Sequence, residues 1–275
     1  MIKVEKKLEQ RLKYTMTKKN KILTIIFFSI LLGIVVLYFW SSTEKKYVLR
    51  EYYPNRKQAS EYEYVIKDVD TILHGKFIRY NKEGNKIAEG NFVNGEPTGK
   101  SIYYFDNGTI ESIFYRKNSK IIQEITENYP SGKIMQYTLY DYLGLSAFIA
   151  GFDKQGNIDN YEGYPIMETY QYRIANKKRF KTKIEQYLKV GDTLKQQYLV
   201  ANIPNTKRSL KIENLDIDNT KAKRTFKKTS QTGIEVKEIL IKKGINKIRA
   251  VVKYEFNDKN KTVINDTISF KVKVN

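Results

Sequence analysis

The sequence predicts a mainly β protein with three parts: an N-terminal transmembrane helix, a β-hairpin repeat meander and a C-terminal immunoglobulin-like β-sandwich. Three observations carry this reading. Residues 22–40 contain no charged side chain. Gly84, Gly108, Gly132 and Gly156 recur in one phase, 24 residues apart. From residue 176 onward, short segments alternate apolar and polar residues between polar turns, the pattern of half-buried strands. The abundance of Tyr (22) and Phe (13) agrees, because aromatic side chains pack well on a pleated, half-buried surface.

Residues 1–21 form a basic tail with eight cationic and two acidic side chains. The run Ile22–Trp40 follows, and its 19 residues would span ~28 Å as a helix, close to the ~30 Å of a bilayer core. Its exit, Tyr38-Phe39-Trp40, suits an interfacial aromatic belt. Lys3, Lys6, Lys7, Arg11, Lys13, Lys18, Lys19 and Lys21 precede the run, so the positive-inside rule puts the N-terminus in the cytosol. The rest of the chain is then expected outside, as the periplasmic or extracytoplasmic body of a single-pass inner-membrane protein. A cleaved signal peptide is the rival, but its apolar region should be shorter and end in small residues.

Residues 41–175 are expected to hold the hairpin repeats. Each periodic glycine follows an aromatic at a short offset (Tyr80, Tyr104, Tyr129, Phe152) and precedes an isoleucine (Ile87, Ile110, Ile134, Ile158). Asp106-Asn107-Gly108 separates two β-forming runs, Ser101–Phe105 and Ile110–Tyr115, and Asn94-Gly95 closes a turn half a period away. Such pairs supply the positive φ that tight hairpin turns need. A fixed period of this length argues for stacked supersecondary units. One unit is then two short strands and two turns. Glu51–Lys57 has the look of an early partial unit in which Arg56 replaces the turn glycine.

The stretch Gly75–Ser112 carries Gly75, Phe77, Tyr80, Gly84, Gly90, Phe92, Asn94, Gly95 and Gly99 in the order of the variant class of MORN repeats, which it resembles. The next unit keeps Gly99, Tyr104 and Gly108 but has Ser119 where Gly95 would recur. That class is seen in bacterial proteins described as antitoxin components. The resemblance implies an elongated hairpin array used for contacts with proteins or lipids, and it brings no catalytic residues.

Residues 176–275 are the expected sandwich, opening at Asn176-Lys177-Lys178-Arg179. Ile248, Ala250, Val252, Tyr254 and Phe256 share one face, and Ile268, Phe270, Val272 and Val274 share another. Leu194–Ile203, Leu210–Ile217 and Ile234–Ile241 add further strands, with turns at Gly191-Asp192, Lys243-Gly244 and Asn257-Asp258. About seven short strands in this length fit a sandwich. The formal charge of +20 is uneven: residues 41–175 sum to −1 and residues 176–275 to +15. Lysines that alternate with apolar residues solvate an outer face and blunt strand edges. They also offer a surface to anionic lipid headgroups or an acidic envelope polymer. No nucleic-acid motif accompanies them.

The residues exclude much chemistry. With no Cys, thiol catalysis, disulfides and Cys-based zinc sites are closed, and one His, His74, leaves little for a His-based metal site. His74 lacks a nucleophile and orienting acid in its motif, although Asp70 is near in sequence. Glu124, Glu127 and Asp141 could pair as glycosidase acids only if the fold brings two of them together. Gly84, Gly90 and Gly95 do not build a phosphate loop. The turn glycines are Gly84, Gly108, Gly132 and Gly156, and Tyr103, Tyr104 and Tyr115 are repeat core or a binding face. The expectation is a membrane-anchored, non-catalytic binding or scaffold protein of the bacterial cell envelope. It needs no cofactor or metal, and it contacts the membrane and a protein partner or anionic polymer, not nucleic acid. An antitoxin- or immunity-like protein and a polysaccharide-acting enzyme are the alternatives.

Overall fold

The structure is a computed structural model and describes residues 20–33, 44–171 and 188–275. Two compact units divide it, residues 1–46 and 47–275. In the first unit one helix is described, over residues 20–33. Its hydroxyls bond back along the helix, Thr24 Oγ1 to the Asn20 carbonyl at 2.8 Å and Ser29 Oγ to the Ile25 carbonyl at 2.6 Å. Those residues rise only ~21 Å at ~1.5 Å each, short of the ~30 Å bilayer core. Among the described residues no helix is long and apolar enough to cross a membrane. This corrects the transmembrane helix expected over residues 22–40, and with it the single-pass inner-membrane localisation. Residues 34–40 and the tail before residue 20 lie outside the described residues, as does Asn176–Arg179.

In the second unit a meander of antiparallel strands builds one eleven-stranded sheet. Its strands are β1 (Tyr47–Tyr52), β2 (Gln58–Lys67), β3 (Asp70–Tyr80), β4 (Lys86–Val93), β5 (Glu96–Pro97), β6 (Gly99–Tyr104), β7 (Ile110–Arg116), β8 (Ile122–Asn128), β9 (Ile134–Tyr140), β10 (Ser146–Phe152) and β11 (Ile158–Gly163). Each strand lies beside its sequence neighbour, except that the short β5 pairs only with β4, and β4 then pairs with β6.

The periodic glycines explain the turns. Gly84, Gly108, Gly132 and Gly156 all have φ between +81° and +92°, a region that costs a Cβ-bearing residue strain. Each donates its N–H to the carbonyl three residues back, Asn81, Phe105, Tyr129 and Asp153 in turn, at 2.8–2.9 Å. Arg56 adopts the same turn at φ +65°, donating to the Tyr53 carbonyl at 2.9 Å. Asn94-Gly95 has positive φ at both positions, as a two-residue hairpin turn requires.

These turns also hold one another. Tyr53 and Tyr129 donate their hydroxyls to the carbonyls of Tyr80 and Phe152 at 2.8 and 2.9 Å. Lys57 and Lys133 reach the carbonyls of Glu83 and Gln155, both at 2.7 Å. Orphan carbonyls of one turn are thus met by side chains of another, which fixes the spacing of the array.

The remaining seven described strands form a sandwich, the expected architecture. One sheet holds β12 (Ile166–Gln171), β13 (Thr193–Val200), β16 (Gly233–Ile239) and β15 (Arg224–Lys228). The other holds β14 (Thr206–Asn214), β17 (Gly244–Phe256) and β18 (Val263–Val274). The change of sheet falls between Gly163 and Ile166, earlier than residue 175, because β12 pairs with β13. Ile248, Ala250, Val252, Tyr254 and Phe256 are all buried, together with Val272 and Val274. Tyr137, Leu139, Phe148, Ala150 and Phe152 of the large sheet belong to the same apolar cluster. The sandwich is therefore mounted on β9 and β10 through a shared core.

Candidate binding face of the hairpin sheet

Cross-strand register assigns side chains to the two faces of the large sheet. On one face the pairing runs Tyr62 to Phe77 to Gly90, and Ser101 to Phe114 to Ile125. A second row runs Ser60 to Arg79 to Ala88 to Tyr103 to Ser112. The opposite face carries Glu89 to Ile102 to Ile113 to Thr126 to Tyr137, and it meets the sandwich through Tyr137 and Leu139. On the first face Tyr62, Phe92 and Tyr103 are partly exposed and Arg79 is exposed.

Aromatic rings cluster there. Phe77 lies 5.2 Å from Phe92 and 6.2 Å from Tyr62, centroid to centroid. Tyr103 meets Phe114 edge to face at 5.4 Å. Phe77 packs over its cross-strand partner Gly90, where an added Cβ would fall 2.6 Å from the ring. The glycine is therefore a seat for the ring, since its φ is not in the left-handed region. Ser60, Ala88 and Ser101 are buried beside these rings.

Two arginines complete the site. Arg79, Arg116, Tyr62, Phe92, Pro97 and Tyr103 frame a pocket of about 200 Å³ with Phe77 and Ser101 at its base. Arg116 is half-buried, and its guanidinium stands 5.0 Å from the Phe114 ring centroid, a cation–π contact. Neither guanidinium has a carboxylate partner among the described residues. Glu51, the acid in the Arg79 row, instead accepts from the Ser60 hydroxyl at 2.5 Å.

The three tyrosines picked from sequence do not share a face. Tyr103 lines the pocket. Tyr104 lies on the other side, donating to Glu89 Oε1 at 2.5 Å while the Lys86 ammonium sits 4.6 Å over its ring. That bond from Tyr104 holds the Glu89 carboxyl below the usual range. Tyr115 pairs across to Glu124 and Lys100 on that same opposite side. His74 sits in a hairpin, where its Nδ1 accepts from the Asn94 N–H at 3.5 Å.

The three carboxylates also sit apart. Asp141 accepts from the backbone N–H groups of Leu143 and Leu145 in a turn. Glu127 faces Ser112 and accepts from Gln136 Nε2 at 3.3 Å. Glu124 lies on the sandwich side and is 2% exposed. It accepts from the Tyr137 hydroxyl at 2.7 Å, and that hydroxyl accepts from the Asn202 backbone N–H at 2.7 Å. Burial pushes the Glu124 carboxyl up despite those donors. This trio ties the large sheet to the sandwich. Sequence singled out Glu124 only as a candidate acid and did not link it to Asn202, because 78 residues separate the two.

A larger cleft, about 430 Å³, opens between the Gly132 and Gly156 turns and the Pro204–Asn205 and Asn257–Asp258 loops. Two of its polar side chains are engaged by the framework: Lys133 holds the Gln155 carbonyl, and Asp258 Oδ1 accepts from the Thr262 N–H at 2.8 Å, while Asp258 Oδ2 is buried without a hydrogen-bond partner among the described residues. On the outer face of β14, β17 and β18 the acids are shared between cations. Glu213 pairs with Lys211 and with Arg249 at 2.6 Å, and Glu255 pairs with Lys253 at 2.6 Å and Lys207 at 3.8 Å. Lys211 and Arg249 hold the Glu213 carboxyl below its usual range.

No protein-family model matches the chain, and no curated protein matches it. Among solved structures, the crystal structure of the S-layer protein SbsC domains 4 and 5 is similar at 9% identity, covering 84% of this chain and 97% of that one, with a TM-score of 0.21. At that score the likeness carries no argument about what this chain does.

Proposed function

We propose that the chain is a non-catalytic binding protein whose hairpin sheet presents its aromatic and arginine face to an acidic partner. In this reading the sandwich is a rigid mount. One observation carries it: two guanidiniums, without carboxylate partners among the described residues, stand among clustered and partly exposed rings of the hairpin sheet. Arg116 is half-buried and Arg79 exposed; a charged group that a fold half-buries is ordinarily paired, and aromatic and Arg side chains are enriched where surfaces bind. The resemblance of Gly75–Ser112 to variant MORN repeats supports the same use of the array for contacts. The scattered positions of Glu124, Glu127, Asp141 and His74 favour binding over turnover.

Photo-crosslinking in intact cells tests the face directly. A photoreactive side chain at Tyr103 is expected to capture one specific partner, and one at Tyr115, on the opposite side, is not. Equal capture from both positions, or none from Tyr103, would reject the reading.

A further inference from the structure

We propose that the pocket between Arg79 and Arg116 receives a carboxylated sugar ring, one uronate unit of an anionic polysaccharide. The proposal rests on the reading of this face as a binding surface, and it names the chemistry of the occupant.

Size comes first. Drug-sized ligands fill clefts of roughly 300–1,000 Å³. The pocket here, about 200 Å³, holds a single ring. Its walls come second. Tyr62, Phe92 and Tyr103 offer aromatic surface to the C–H-rich face of a pyranose, and the Tyr62 and Tyr103 hydroxyls have no protein partner among the described residues. Each can bond a sugar hydroxyl, being both donor and acceptor.

Charge comes third. Arg116 is half-buried against Phe114, so part of its hydration is lost without an anion in return. Two planar guanidinium forks match the two oxygens of a carboxylate. A uronate carries that carboxylate on the ring itself, so ring stacking and ion pairing are met by one unit. A glutamate side chain would satisfy the arginines but leave the aromatic walls uncovered. A phosphodiester would likewise supply charge without a ring beside it.

The test uses the full chain and measures binding of trigalacturonate by calorimetry. The comparison arms are its methyl ester, maltotriose and triglutamate. Trigalacturonate is expected to bind, and both esterification and the Arg116→Ala or Arg79→Ala substitution to weaken it by about tenfold or more. Lys247→Ala, on the sandwich, is expected to leave binding unchanged. Equal binding of the ester or of maltotriose would overturn the role of the carboxylate. Tighter binding of triglutamate would overturn the sugar while leaving an acidic partner in place. Binding of none of the four would overturn the sugar proposal alone, because capture from Tyr103 in cells is a separate measurement. Unchanged thermal unfolding of the two arginine variants would show that any loss is not misfolding.

Discussion

Glu124 shows how a single side chain can serve the fold and still tax it. Its carboxyl is enclosed where the large sheet meets the sandwich, and it accepts from Tyr137, whose hydroxyl in turn accepts from Asn202. Burial raises its pKa in the folded state above the ordinary value near 4.3. A carboxyl raised in this way favours folding fully below its unfolded pKa, and that contribution is lost as pH rises through the folded value. Glu124→Gln keeps an acceptor for Tyr137 and cannot ionise. Relative to the native chain, the variant is therefore expected to gain stability as pH rises above the ordinary carboxylate value near 4.3. Melting temperatures of both proteins at several pH values check this. A difference that stays constant with pH would mean the carboxyl does not titrate in that window. Tyr137→Phe makes a poor substitute for this experiment, because it strips Glu124 and the Asn202 N–H of their partner at once.

At the scale of the element, the repeat was legible because its turns impose a local demand. A left-handed φ at the fourth residue of each turn favours glycine whatever surrounds it, so the 24-residue phase is written in Gly84, Gly108, Gly132 and Gly156. Arg56 breaks the letter of the pattern while keeping the conformation. Arg56→Gly is therefore expected to stabilise the chain by about 0.5–1 kcal/mol, and Gly132→Ala to destabilise it by about 1–2 kcal/mol. Urea midpoints measure both, and a loss of stability in Arg56→Gly would show that this turn differs from the others. The sandwich face of β17 was legible for a similar reason, since five apolar residues at period two can share only one side. The binding face was not. Tyr103 and Tyr104 are consecutive, so a pleated strand sends them to opposite sides, and only register shows which side is open. Arg79 and Arg116 stand 37 positions apart in sequence and meet because the intervening strands align them. Residues 22–40 are apolar enough for a bilayer, but among the described residues, 20–33 in that part of the chain, no helix is long and apolar enough to cross one.

Across the second unit, burial is uneven, and this sets an order of local stability. From β8 onward the large sheet has the sandwich against one face, and residues such as Tyr137, Leu139 and Ala150 are fully enclosed in the shared core. From β1 to β6 fewer residues are fully buried. Apolar burial there includes Val65 and the rings around Gly90: Phe77 on it, and Tyr62 and Phe92 beside it. Hydrophobic stabilisation scales with area removed from water, so this half of the sheet opens at lower cost than the sandwich-backed half. Amide hydrogen exchange is expected to rank the strands accordingly. β9, β10 and β17 should exchange only through global unfolding, and β1 to β4 through openings that leave the sandwich intact. The Tyr53–Tyr80 and Lys57–Glu83 bonds between turns resist such opening, so removing them with Tyr53→Phe and Lys57→Met should speed exchange in β1 to β4 and leave β17 unchanged. Uniform exchange across all strands would mean that the array and the sandwich unfold as one cooperative unit. The ligand pocket lies in the less buried half, so a bound ring that bridges β3, β4, β6 and β7 has the most to stabilise there. Trigalacturonate should therefore slow exchange in those strands at concentrations that leave β17 unaffected, by the linkage that stabilises any state a ligand prefers.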